Sequence, residues 1–174
     1  MQTRKERVAD KPAALRKLRS LLECYGFTRI LEGREARCTV DEGGCTLYLL
    51  DRQLARSLRG TPLFAGVPVA LLRGARLLPT LGLLSLAERA GITPRRHYVV
   101  VGEHAANLFT YGRDIFEESL EKTEIDESCA RQGIPLVVVD PEGGLLGYGA
   151  PRRKAGRLLI HNLLDVGWYL RSGV

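Results

Sequence analysis

The sequence is poor in the residues that usually announce chemistry. It has one tryptophan, one methionine and three histidines in 174 residues, and aromatic side chains make up 6% of it. The four cysteines, Cys24, Cys38, Cys45 and Cys129, form no C-x-x-C pair, and His97, His104 and His161 do not cluster with them. Tetrahedral zinc needs grouped ligands, so no metal site is expected and the cysteines read as buried free thiols. Cys38 and Cys45 flank a hairpin signal, so whether they pair stays open. There is no G-x-S-x-G elbow, no Walker loop and no H-E-x-x-H helix. No apolar run reaches the roughly 18 residues of a membrane-spanning helix. The opening MQTRKERVADKPAALRK is charged without an apolar stretch, so no secretory signal is expected. The expected location is cytoplasmic, or nucleolar in a eukaryotic source.

The chain does carry charge, unevenly spread. Through Pro94 there are 16 Lys+Arg against 9 Asp+Glu, or +7; from Arg95 onward 10 stand against 11, or −1. A basic balance favours a polyanionic partner, but only locally arranged charge can recognise one. The near-neutral half nonetheless holds the densest cationic cluster, Arg152, Arg153, Lys154 and Arg157, together with an acidic stretch, DIFEESLEKTEIDE.

Periodicity supplies the elements. PAALRKLRSLLECYGF sets Leu15, Leu18, Leu21 and Leu22 at helical spacing, with Arg16, Lys17 and Arg19 on other faces and Gly26 past the end. REARCTV and CTLYLL read as a hairpin around DEGG. Asp51 caps a short helix over RQLARSLRG, closed by Gly60. GVPVALLRG and the next leucines read as buried strand, and Thr80 caps LGLLSLAERA, which stops at Gly91 and Pro94. After ITPRR the pattern changes. HYVVV is a strand, GEHAANLFTYG a short helix, IPLVVVD a strand, DPEGG a tight turn, and LLGYGA and GRLLIHNL are further strands. DVGWYLR closes as a helical cap with Trp168 and Tyr169 packed inward. The expected fold class is α+β: a small α/β unit over 1–94, then a small barrel or curled sheet over 95–174.

Gly147 and Gly149 space a strand, GYG, that is not a dinucleotide fingerprint, because the third glycine position is Arg152 and no long helix follows. They mark close approach to the backbone or a bend of the sheet. The cations after them, between two strands, match phosphate geometry and form a candidate RNA-backbone track. Asp114, Glu117 and Glu118 lie near one another in sequence, but nothing marks them as an acid/base pair, and His104 reads as a helix-start residue. An enzyme is not expected.

These segments resemble a known family. HYVVVGEHAANLFTYGRDIFEES, IPLVVVD, LLGYGA and LLIHNLLDVGWYLR look like a PUA domain, the small RNA-binding pseudo-barrel. The order of the whole chain looks like the Nip-seven family of large-subunit (60S) ribosome biogenesis factors, which join an α/β domain to a C-terminal PUA domain without a catalytic module. The F-x-Y-G at Phe109 to Gly112 and the Leu146 to Ala150 stretch carry the likeness. Arg113 stands where the family usually has Asn, and the Pro-Leu-Thr opening of its eukaryotic members is missing, so an archaeal-type member is implied. The resemblance implies RNA binding in precursor-rRNA processing, without cofactor. It also implies exosome or ribosome-assembly proteins as partners and an RNA-contacting edge of Gly147, Gly149, Arg152, Arg153, Lys154 and Arg157. A protein-interaction adaptor, or an accessory subunit of an RNA-modifying complex, is the competing reading.

Overall fold

A computed structural model describes residues 11–41, 44–58 and 65–173. The first element is α1 (Lys11–Tyr25), which buries Ala14, Leu18, Leu21, Leu22 and Tyr25 along one stripe. It stops at Gly26, whose φ of 77° is a left-handed conformation that L side chains avoid. The hairpin follows as β1 (Arg34–Asp41) and β2 (Gly44–Asp51); part of its turn lies outside the described residues. Asp51 then caps α2 (Arg52–Ser57), its carboxylate accepting from the Gln53 N–H at 2.7 Å and the Leu54 N–H at 3.3 Å. The helix ends at Ser57, and Gly60 lies outside the described residues.

The run read as one buried strand folds back as β3 (Val67–Arg73) and β4 (Arg76–Pro79), because Gly74 supplies a positive φ of 57°. The four strands form an antiparallel meander in chain order. Next comes α3 (Leu81–Arg89). Thr80 occupies its cap position, but its hydroxyl donates instead to the Pro68 carbonyl at 2.6 Å and ties the helix start to β3.

The second sheet is built from β5 (Tyr98–Val101), β6 (Ile115–Phe116), β7 (Leu120–Glu124), β8 (Leu136–Val139), β9 (Leu145–Lys154) and β10 (Arg157–Asp165). Its order is β6-β10-β9-β8-β5-β7, with β5 and β8 the parallel pair. Around it lie α4 (Glu103–Thr110), α5 (Glu127–Arg131) and α6 (Trp168–Arg171). The fold is α+β, a small mixed unit followed by a curled sheet.

Strand alternation explains why the second sheet reads as continuous valine. Val99, Val101, Leu136, Val138 and Ile160 point into an inner core with Ala105, Phe109 and Ile115. Their neighbours Val137 and Val139 point to the other face, into a core shared with α1, α3, β2 and β3. Tyr148 and Leu145 of β9 join them there. The Tyr148 hydroxyl donates to the Thr80 carbonyl at 3.1 Å, and the Tyr25 hydroxyl to the Pro135 carbonyl at 2.7 Å. The first unit thus packs on part of the outer face of the curled sheet.

The cysteines are not free thiols, contrary to the expectation from their scatter. Cys24 on α1 bonds Cys129 on α5 across 105 residues, and Cys38 bonds Cys45 across the first hairpin. The first pair is brought together by helix packing between the two units, which sequence spacing does not reveal. The closing turn also differs from expectation. Trp168 and Tyr169 are exposed, because the buried anchor of that turn is the Asp165 carboxylate.

Candidate nucleic-acid interface

The sequence-predicted cations sit on strands rather than in a loop. β9 runs on to Lys154 and β10 starts at Arg157, joined by Ala155 and Gly156, with φ of 51° and 82°. Two consecutive left-handed residues are what a tight two-residue hairpin turn demands. The register pairs Lys154 with Arg157, Arg152 with Leu159, and Leu159 with Phe116 of β6. Directly paired residues share a face, and so do residues two apart. Arg152, Lys154, Arg157 and the exposed Phe116 therefore occupy one outer face, while Arg153 belongs to the other.

The electrostatics of this face are mixed but open. Arg152 and Lys154 have no ion-pair partner among the described residues. Arg153 donates to the Gly156 carbonyl at 3.2 Å and stiffens the turn. Arg157 meets Glu118 at 2.6 Å, and the Leu158 N–H donates to Glu117 at 2.9 Å. The acidic stretch thus touches the end of the cationic row. Both members of the Arg157–Glu118 pair are well exposed, and such pairs contribute little and yield readily to a competing anion.

Gly147 and Gly149 are buried in the sheet, with β10 as the close neighbour. A Cβ at Gly147 would fall on the Leu164 carbonyl, and its φ of 151° disfavours a side chain in any case. A Cβ at Gly149 would fall on Ile160. The space these glycines leave is filled by protein, so their contribution to the edge is to let β9 and β10 close tightly beneath the cations.

Beside Phe116 opens a groove of about 510 Å³ that the sequence did not single out, lined among others by Leu108, Arg113, Asp114, Phe116 and Ser119. Its floor is organised by Asp114, whose Oδ1 meets His161 Nδ1 at 2.9 Å and accepts the Asn162 N–H at 2.9 Å. Asn162 in turn donates to the Phe109 carbonyl at 2.7 Å. The three acids considered in the sequence are thus engaged separately: Asp114 with β10, Glu117 with a backbone amide and Glu118 with Arg157. Exposed Tyr111, in the loop between α4 and β6, stands next to the groove. The sequence signal for this site was the F-x-Y-G-R run, although nothing in that run separates exposed Tyr111 from buried Phe109.

The arrangement offers a cationic row, an exposed ring and an adjoining groove on one side of a small curled sheet. Residues 97–174 match the family model described as "UPF0113 PUA domain". A protein of Aeropyrum pernix described as "UPF0113 protein" is 26% identical over 93% of this chain and 90% of its own. Among solved structures, a conserved PUA domain protein from Thermoplasma acidophilum superposes with a TM-score of 0.54 at 20% identity, covering 94% of this chain and 95% of that one. A hypothetical protein from the hyperthermophile Pyrococcus horikoshii gives 0.52 at 18%, covering 91% and 95%. The curled sheet is thus of the PUA type, and the likeness in fold extends through the first unit.

Proposed function

We propose that this chain is a non-catalytic RNA-binding protein, and that its cellular task is ribosome biogenesis through the processing of precursor rRNA. The observation that carries the binding reading is the row of Arg152, Lys154 and Arg157 beside exposed Phe116, on one face of a PUA-type sheet. Guanidinium and ammonium groups at strand spacing follow a phosphate backbone, and an exposed ring beside them can stack an unpaired base. The finer assignment rests on the Nip-seven resemblance of the element order. In this reading the segment 95–174 holds RNA without a cofactor. The segment 1–94, with Arg16 and Arg19 exposed on α1, faces other assembly proteins or the exosome.

The test is binding of the full chain to a labelled single-stranded RNA, together with prolonged incubation of the same RNA with protein and common cofactors. Retention without turnover is expected. Failure to bind at moderate salt favours the adaptor reading. A reproducible conversion that survives repurification and disappears with one point mutation would exclude a purely binding role.

A further inference from the structure

Two segments far apart in sequence place three exposed aromatic rings at one end of the curled sheet. Tyr111, in the loop after α4, is 70% exposed; Trp168 and Tyr169, on α6, are 44% and 59% exposed. The last two stand edge to face, with ring centroids 5.2 Å apart. The segments are held together by Asp165, a buried carboxylate. It binds Arg171 through both oxygens, at 3.0 and 2.7 Å, and accepts the Gly167 N–H at 2.9 Å. Arg171 also donates to the Thr110 carbonyl, next to Tyr111. Gly167 has no room for a side chain because that same carbonyl lies where its Cβ would be. A buried carboxylate, its partly exposed arginine partner and a glycine contact thus fix rings that do not themselves enter the core.

We infer that Tyr111, Trp168 and Tyr169 form a stacking platform for unpaired bases of single-stranded RNA, which extends the footprint beyond the cationic row. This rests on the RNA-binding reading above. Continuity and charge both favour the assignment. Arg113, two residues from Tyr111, lines the groove at Phe116 and has no ion-pair partner among the described residues. A strand leaving that groove therefore meets Tyr111 next. Asp165 is paired with Arg171, which offsets its charge, while Asp114 keeps its charge but shares the groove with the Arg113 guanidinium. On the far flank of α4, Glu103, Asp140 and Glu142 line another groove and bound the path there. Aromatic faces accept any base, so the platform adds affinity with little sequence preference.

Trp168 is the sole tryptophan, so its emission reports on this surface directly. The full chain is titrated with a dye-labelled single-stranded oligoribonucleotide and with an abasic strand of equal length, following dye anisotropy and tryptophan emission together. Emission quenched in step with binding of the base-bearing strand, but not of the abasic one, is expected. Tyr111→Ala should weaken the base-bearing strand by roughly fivefold to a hundredfold and leave the abasic strand unchanged. Binding by anisotropy with unaltered emission, or an unaffected Tyr111→Ala, overturns the platform and leaves the RNA-binding reading standing. No binding of either strand overturns both.

Discussion

His97 meets the first unit through its ring, which stacks on Tyr25 of α1 with centroids 6.4 Å apart. It lies at the seam, with φ of 56°, and its ring is buried. Its Nδ1 accepts the Asp126 N–H at 3.2 Å, so the proton resides on Nε2, which donates to the Ile134 carbonyl at 2.8 Å. Burial favours the neutral ring and lowers its pKa below the ordinary 6.5, although the Ile134 bond and the Asp126 charge oppose the shift. The unfolded chain then binds the extra proton more readily, so stability is full above 6.5 and declines as pH falls below it. Thermal melts across that range should show this loss, and His97→Asn, which tolerates a positive φ, should flatten it. Equal pH slopes for both proteins would remove His97 as the cause. Gly147 makes a second residue-scale case. Gly147→Ala should destabilise the chain by about 1–3 kcal/mol, since the new methyl meets backbone rather than a yielding side chain. A denaturant midpoint at the wild-type value would show that β9 and β10 are less tightly closed than the geometry requires.

The elements were largely legible where one face is buried and the other wet. The stripe of α1 and the Asp51 cap follow from spacing and turn chemistry, whereas the two-residue turn after Lys154 does not: the cations were expected in a loop and lie on the ends of two strands. Replacing Asp51 by alanine should cost about 1 kcal/mol, read as a shift of the denaturation midpoint, because two backbone N–H groups lose their acceptor. No shift would mean that water serves both amides as well. Other features were not legible for physical reasons. Thr80 can bond either its helix or the neighbouring strand, and only packing decides that it bonds Pro68. The GVPVALLRG run has the same hydropathy whether it ends or turns back. Gly147 and Gly149 signal a close approach or a bend of the sheet, and sequence alone does not say whether the neighbour is a ligand or, as here, another strand.

At the scale of the molecule, the change at ITPRR marked a new sheet without revealing that one core spans both units. Tyr148, Val137 and Val139 are covered by the first unit, and Cys24 is bonded to Cys129. A chain truncated to 95–174 keeps its own inner core and should melt cooperatively, yet at a lower temperature than the full chain. A molten product would show that the shared core is indispensable. Breaking the long-range disulfide with Cys24→Ser and Cys129→Ser should cost roughly 2–5 kcal/mol, given the 105 residues that it closes.

The charge asymmetry of the two halves pointed away from the second unit. Yet the surface proposed for RNA lies there, because hairpin register gathers three cations that overall counting dilutes. The salt dependence of RNA affinity tests this most directly, in wild type and in the folded triple variant Arg152→Ala, Lys154→Ala, Arg157→Ala. If each side chain neutralises one phosphate of a single strand, the slope of log K against log salt should fall in magnitude by about 2, or roughly 0.7 per contact. Arg153→Ala, on the other face, should leave it unchanged. An undiminished slope in the triple variant would contradict the account and place the RNA elsewhere on the chain.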